Sequence, residues 1–239
     1  HSQNQLTDEV NLLLPEVAIN MNRQNPFRNL KFEPLKTLNI AWNFNAQNSI
    51  NNRITEEFGV EPELVQDGSE ISNEPEVIPF NFENLPQLLR DAENGFRHTI
   101  PISSNFTLFR YFTGTASFNY TELWYLNKIN YYYNPDEDRV DRILESGFNR
   151  AGFYNTSFSM ATNIYGFYTF GKNSKIEAIR HHVQPTFGFN STPDFSDPKY
   201  GLYQTIYSDR TGREEVYSNY QGFIFGGAPR GESKSLSFA

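Results

Sequence analysis

The stretch RYFTGTASFNYTELWYL, residues 110–126, decides the fold. Counted from Phe112, every second residue is Phe, Gly, Ala, Phe, Tyr, Glu and Trp. The interleaved residues are polar as far as Thr121, and Leu123 follows. A period of two is typical of a β-strand whose two faces meet different surroundings. About 9–11 residues of tilted strand cross a bilayer, so this run is long enough to span one.

A second segment, KTLNIAWNFNAQ at residues 36–47, repeats the alternation. Together the two strands predict a polar set facing the lumen of a barrel and an apolar set facing lipid. The predicted lumen-facing residues are Asn39, Asn43, Asn45, Thr113, Thr115, Ser117, Asn119 and Thr121. The predicted lipid-facing residues are Leu38, Ile40, Trp42, Phe44, Phe112, Phe118, Tyr120 and Trp124.

The composition favours a thin wall over a deep core. Of the 239 residues, 38% are hydrophobic and 16% aromatic, which is poor in aliphatic side chains for a packed core. No run of about 18 apolar residues exists, which excludes a transmembrane helix. There are no cysteines, and the first residues lack the features of a signal peptide. We expect a piece of a longer chain, because residues 233–239 resemble a strand cut as it begins.

The net charge of −8 is concentrated in one predicted insertion. Residues 49–95 hold eleven acidic residues and two arginines, whereas the remainder of the chain is almost neutral. We interpret this stretch as an acidic extracellular insertion that keeps the surface soluble and shielded, or that joins a network of divalent cations and lipid phosphates. No cluster of Lys and Arg suggests a nucleic-acid surface.

Strand-like segments alternate with two kinds of connection. Short turns are expected at 108–111, 171–175 and 226–231, and long polar loops at 48–95, 127–150 and 190–216. Transmembrane barrels sort their connections in this way, with short periplasmic turns and long outer loops. We therefore predict an all-β, antiparallel transmembrane β-barrel, present in part as about eight long strands within a single segment, residues 1–239. The predicted strands are 14–21, 36–47, 96–108, 111–126, 151–170, 175–189, 217–225 and the stub from 233.

The chain carries no recognisable catalytic chemistry. It has no nucleophile motif, phosphate-binding loop or zinc spacing, so no catalytic residue, metal ligand or cofactor is predicted. His181 and His182 are adjacent on a predicted strand, point to opposite faces and cannot chelate one metal together. The acidic loop at 134–139 has Arg139 where a calcium loop needs its sharp-turn Gly.

Three sequence motifs resemble those of a known family. They read HTIPISSNF at 98–106, FGKNSKIEAIRHHVQP at 170–185 and PDFSDPKYG at 193–201. These stretches resemble the barrel region of LptD, the lipopolysaccharide assembly protein, of the Bacteroidota type. The resemblance covers about half of the chain well, extends to GGAPRGESKSLSF near the end, and is only a matter of pattern over the first 95 residues.

The resemblance implies an outer-membrane translocon that inserts lipopolysaccharide into the outer leaflet of a Gram-negative bacterium. In such proteins an LptE-like lipoprotein plugs the barrel, and periplasmic β-jellyroll bridge proteins deliver the glycolipid. Energy comes from an ATPase elsewhere, so neither an enzymatic activity nor a cofactor is implied here. Two features depart from the family pattern, since the chain has fewer strands than a whole barrel and no jellyroll.

Three alternatives remain open at this point. A different outer-membrane barrel, such as a nutrient receptor or adhesin scaffold, has the same strand pattern. A soluble glycan-binding β-sandwich also alternates apolar and polar residues, but it has no reason to sort its loops by length. A barrel enzyme would need a catalytic pair that the sequence does not reveal.

Overall fold

The computed structural model describes residues 2–4, 9–52, 77–90, 92–136, 139–171, 175–208 and 212–239. The described part of the chain is almost entirely antiparallel β-structure. Its strands are β1 Ser2–Asn4, β2 Glu9–Gln24, β3 Leu38–Asn51, β4 Glu93–Leu108, β5 Phe112–Asn134, β6 Arg139–Thr162, β7 Ile164–Thr169, β8 Ala178–Val183, β9 Thr186–Thr192, β10 Tyr203–Ser208, β11 Arg213–Ser218 and β12 Ser233–Phe238. Two short helices, α1 Glu33–Lys36 and α2 Leu85–Arg90, lie in the connections on either side of β3. No helix among the described residues is long and apolar enough to cross a membrane.

One sheet of eight strands dominates the fold, in the order β1-β2-β3-β4-β5-β6-β9-β12. The strand ends at which the β4–β5 connection lies form what we call the turn end of the sheet. The opposite strand ends form the loop end. The predicted tight turn at the turn end is present, and Phe109 and Arg110 adopt positive φ angles of 52° and 67° in it. Among the described residues the strands form an open sheet and do not close on themselves, so the barrel stays a prediction.

The β6–β9 pair extends past the turn end as a narrow ribbon, formed by β7 and β8. Ile164 pairs with Val183 in the same register in which Thr156 pairs with Ser191, so the ribbon continues one long hairpin. The predicted strands 151–170 and 175–189 are therefore each divided in two. The divisions fall at Asn163 and at residues 184–185, where a proline cannot donate to the ladder.

The predicted long polar loop at 127–150 is wrong. β5 continues to Asn134 and β6 begins at Arg139, so the pair forms a hairpin that extends beyond the neighbouring strands at the loop end. One register shift, between Tyr125 and Asn127, interrupts an otherwise continuous ladder. The many polar residues of this stretch predict a loop, yet they lie on two strands that pair with each other.

The predicted strand at 217–225 and the predicted turn at 226–231 are also wrong. Residues 193–232 form one long connection between β9 and β12 at the loop end, and we call this connection the loop-end segment. It contains the separate two-stranded hairpin β10–β11 and a series of tight turns. The predicted loop at 190–216 is thus the first half of a longer, folded structure.

The largest hydrophobic cluster lies where the loop-end segment packs on the sheet. Phe195 is completely buried at its centre, between the edge of β6 and the rest of the segment. The buried members of the cluster are Leu123, Tyr125, Ala151, Phe195, Leu202, Tyr220 and Ala228.

The base of the acidic insertion is anchored by Asn52. Its side-chain oxygen accepts from the Val10 amide at 2.7 Å, and its amide nitrogen donates to the Ile78 carbonyl at 3.1 Å. A small cluster of Ile50, Leu88 and Ala92 packs beside it. The greater part of the predicted insertion, residues 53–76 and 91, lies outside the described residues.

The β3–β4 ladder is interrupted once, opposite Pro101. Ile40 pairs with Ile102 and the next bridge joins Asn43 to Thr99, whereas the β4–β5 ladder continues through Pro101 without a gap. In a central strand the backbone N–H groups donate alternately to the two neighbouring strands, and a proline lacks one of these donors. The missing donor therefore falls on the side of β3.

Candidate functional site

The candidate site is the main sheet itself, because its two faces differ in polarity over most of its length. Cross-strand partners share a face, and the registers of β3, β4 and β5 fix which residues stand together. All eight residues predicted to face lipid lie on one face, which we call the apolar face. All eight predicted to face a lumen lie on the opposite side, the polar face. What surrounds each face is a separate question, and the assignments to lipid and lumen stay predictions.

Both faces continue across the neighbouring strands. On the apolar face the register of β6, β9 and β12 brings Phe158, Met160, Phe187, Phe189, Leu236 and Phe238 into line. On the polar face the same strands contribute Asn155, Ser157, Ser159, Asn190, Ser235 and Ser237. Polar neighbours bond across the strands there, as where Thr115 Oγ1 donates to Asn105 Oδ1 at 2.9 Å.

Aromatic rings form a ladder across the apolar face toward the loop end. Trp42 and Phe44 on β3 stack with ring centroids 6.0 Å apart, and His98 on β4 lies 4.1 Å from Trp124 on β5. Phe148 on β6 meets Trp124 edge to face at 5.7 Å. Rings of this kind concentrate where hydrocarbon meets headgroups.

The apolar face is not covered by a second layer of protein. Its large side chains on β3 to β6 are mostly half-buried, as in a single layer, and Met21, Phe112 and Phe238 on the same face are exposed. A soluble sheet buries one face against another element, and monomeric soluble proteins rarely leave so much apolar surface open. A β-sandwich would need a second sheet on this face, and the described strands supply only two small hairpins besides the main sheet.

The loop-end segment covers the polar face near the loop end. The alternation inverts there, since Leu123 and Tyr125 stand on the polar face and are each 1% exposed. The Tyr125 hydroxyl donates to the Gly226 carbonyl at 2.8 Å. Gly95 provides the space for this contact, because a Cβ at that position would lie 2.5 Å from Cγ2 of Ile224.

The same segment also provides hydrogen-bond partners for the backbone of β5 beyond the end of its ladder with β4. The ladder with β4 ends at Trp124, and beyond it the Ile129 amide donates to the Asn219 carbonyl at 2.8 Å. The Gln204 side chain donates to the Ile129 carbonyl at 2.8 Å and accepts from the Tyr131 amide at 3.0 Å. An unpaired strand edge exposes backbone groups that invite wrong pairing, and these contacts close it.

The motif at 193–201 anchors the segment. Asp194 Oδ1 accepts from the Ser196 amide at 2.9 Å, from the Ser196 hydroxyl at 2.6 Å and from the Gly231 amide at 2.9 Å. These hydrogen bonds lower the pKa of the Asp194 carboxyl, and the bond from the Ser196 hydroxyl makes the largest contribution to the shift. The two ends of the segment are therefore held together by one carboxylate, and Phe195 beside it enters the hydrophobic cluster.

Sequence reasoning missed an ion pair on the apolar face. Glu122 Oε1 accepts from Arg150 Nε at 2.5 Å and from Trp124 Nε1 at 2.6 Å, and Oε2 accepts from the Tyr120 hydroxyl at 3.1 Å. The signal was visible, because Glu122 is the one acidic residue that breaks the apolar series from Phe112 to Trp124.

Comparison with known proteins identifies the family. The family model described as LptD protein matches residues 1–239. The chain belongs to the LptD family. The resemblance to LptD is thereby confirmed at the level of the family, and the Bacteroidota type stays a prediction. Membership connects the chain to lipopolysaccharide transport and to the outer membrane. No curated protein and no solved structure matches the chain.

Proposed function

We propose that this LptD-family chain forms part of an outer-membrane β-barrel wall that inserts lipopolysaccharide into the outer leaflet. One observation carries the proposal. An uncovered apolar face and a hydroxyl- and amide-rich face lie back to back in a sheet one residue thick. Such a sheet suits a wall between hydrocarbon and a polar interior.

The dimensions of the sheet support a transmembrane arrangement. From Phe112 to Trp124 the strand advances twelve residues, which is about 40 Å at roughly 3.3 Å per residue. Tilted by roughly 35–45° the strand covers about 30 Å, close to the thickness of a bilayer's hydrocarbon core. In this arrangement the turn end is periplasmic and the loop end extracellular.

The transport mechanism that we propose is physical and involves no covalent step, cofactor or enzymatic activity. The acyl chains of the glycolipid stay on the apolar side, and its sugars exchange hydrogen bonds with the Asn, Ser and Thr side chains of the polar face. The loop-end segment lies over this polar face, so it closes the conduit on the extracellular side.

The partners follow from the same proposal. The unpaired edges of the sheet join further strands, because exposed strand edges are not stable in hydrocarbon. An LptE-like lipoprotein plugs the interior, and periplasmic β-jellyroll bridge proteins deliver lipopolysaccharide at the turn end.

Photo-crosslinking in cells tests the proposal. A photoreactive residue at Ser117 or Asn43, on the polar face, should capture lipopolysaccharide. The matched control is Phe118, the next residue along β5 from Ser117, which faces the middle of the bilayer in this arrangement and should capture phospholipid instead. The proposal would be overturned if neither polar position captured lipopolysaccharide while a known translocon in the same cells did.

A further inference from the structure

A charged group stands on the apolar face without an obvious structural reason. The Glu122 carboxylate is largely buried, and its side chain is 12% exposed, whereas the paired Arg150 side chain is 62% exposed. A partly hydrated ion pair contributes little to stability, and an arginine toward lipid is tolerated only near the headgroups. The pair therefore calls for a role other than holding the sheet together.

The surroundings hold the carboxylate in a fixed position. Trp124 and Tyr120 donate to it from the same strand, and Arg150 donates from the opposite strand. Gly152, the cross-strand partner of Glu122, makes this possible. A Cβ at Gly152 would lie 2.7 Å from the Tyr120 hydroxyl, so any larger residue would push the ring away from the carboxylate.

Glu122 in turn orients the guanidinium of Arg150. One donor, Nε–H, faces the carboxylate, and most of the side chain remains exposed. A guanidinium carries five N–H donors in a planar fork that matches the oxygens of a phosphate. The guanidinium is thus anchored through Nε and also interacts with the Tyr120 hydroxyl, while most of the Arg150 side chain stays exposed and accessible to a ligand.

The height of the group along the strand selects the ligand. Glu122 lies ten residues beyond Phe112, about 33 Å along the strand and about 25 Å across a bilayer at the tilt of a membrane barrel. In the proposed arrangement this level lies about 5 Å short of the outer boundary of the hydrocarbon core, within reach of the headgroups for a side chain as long as arginine. Trp124, whose ring meets Phe148, lies two residues closer to that boundary.

We propose that Arg150, positioned by Glu122, is a binding site on the outside of the wall for the phosphate of a phosphorylated glycolipid. This inference rests on the proposed function, because it requires the apolar face to meet the bilayer. The guanidinium binds the phosphate, while Trp124 and Phe148 supply apolar surface beside it. The site would hold glycolipid at the wall in the leaflet to which the conduit delivers it.

The test uses the full chain reconstituted in phosphatidylcholine nanodiscs with bisphosphorylated lipid A as the probe. Bound lipid A is counted by native mass spectrometry. Arg150→Gln should retain at least fivefold less lipid A than the unmodified protein, and Arg150→Lys should lie between them. Glu122→Gln, which keeps the guanidinium but removes its anchor, should also reduce retention. Lys199→Gln is the matched control, since Lys199 is an equally exposed cation, 62%, paired with a carboxylate in the loop-end segment.

Two further probes identify the ligand. Lipid A stripped of its phosphates should bind the unmodified protein and Arg150→Gln equally, and phosphatidylglycerol in equal amount should not displace bound lipid A. Equal retention by all variants would overturn the site, as would displacement by phosphatidylglycerol. These failures differ from failure of the proposed function, in which the unmodified protein would not insert or would not crosslink lipopolysaccharide at Ser117.

Discussion

The two halves of the β5–β6 pair share one backbone ladder but differ in what covers their faces. Toward the turn end the sheet is one layer thick, and side chains such as Phe118 and Ser117 on both faces are only half-buried. Toward the loop end the polar face is covered by the loop-end segment, and Leu123 and Ala151 are fully enclosed. Among the described residues, the first half has no protein layer over its faces, and the second carries its own core.

This difference teaches where mutations should act. In the covered half, ordinary core energetics apply, because the protein itself fills the space around each side chain. In the bare half, under the proposed arrangement, a substitution changes the interaction with lipid or with the polar interior. The comparison can be broken by disturbing the covered half alone.

Phe195→Ala should have the largest effect. The ring is fully buried at the centre of the cluster, and its loss leaves a cavity that costs about 3–5 kcal/mol. Urea unfolding of the protein in lipid vesicles measures the change. The control, Phe109→Ala, removes a ring that is 82% exposed in the turn-end connection and should change the free energy of unfolding by less than about 0.5 kcal/mol. Equal losses at both positions would contradict the division into halves.

Gly95→Val should displace the loop-end segment from the sheet. The added side chain meets Ile224 and Phe225, whose atoms lie 2.5 Å and 2.9 Å from an ideal Cβ, and overpacking of this kind costs about 1–3 kcal/mol. Limited proteolysis should cut the segment faster in this variant. Gly166→Val is the comparison, because the nearest atom to a Cβ there, on His181, is 3.5 Å away. Unchanged cleavage of the Gly95 variant would show that the segment does not rest on this contact.

Gln204→Ala should open the edge of β5 locally. It removes the acceptor of the Tyr131 amide and the donor to the Ile129 carbonyl, for a net loss of about 1 kcal/mol. Hydrogen exchange at the Tyr131 amide should accelerate about fivefold. Gln47→Ala, which loses only an exposed bond to Glu16, should leave that amide unchanged. Equal protection of Tyr131 in the Gln204 variant would mean that another group seals the edge.

Acidification should loosen the loop-end segment, and this is the smallest of the expected effects. The folded pKa of Asp194 is lowered by its hydrogen bonds, so its contribution is present above the ordinary value of 3.8 and is lost as the pH falls through the folded pKa. Exchange of the Gly231 amide, corrected for its intrinsic rate, should rise as the pH falls below 3.8 and through the lowered pKa of Asp194. In Asp194→Asn the corrected rate should not vary over this range, and a matching rise there would implicate a different group.

Period-two alternation was sufficient to predict most of the sheet. It predicted which residues of β3 and β5 share a face, because adjacent side chains of a strand must point to opposite sides. Glu122 interrupts this alternation, but the pattern says nothing about the partner strand and therefore could not predict its pairing with Arg150.

The loop-end segment could not be predicted in the same way. Its fold depends on contacts between residues far apart in sequence, such as Tyr125 with Gly226 and Gln204 with Ile129. Aromatic residues at 217–225 resemble a strand locally, yet they pack on the sheet through turns. The extended β5–β6 hairpin was missed for the opposite reason, since its polar residues pair with one another, as Lys128 does with Glu145 at 3.1 Å.

The proline in the middle of β4 has a mechanical consequence. A flat sheet cannot enclose anything, and a wall must curve along some line where adjacent strands resist rotation least. Opposite Pro101 the β3–β4 ladder lacks its regular bridges, whereas the β4–β5 ladder is complete. Because fewer bonds oppose rotation there than between β4 and β5, the sheet can bend more easily on the β3 side of β4 than on the β5 side, and the difference comes from the absence of a single hydrogen atom.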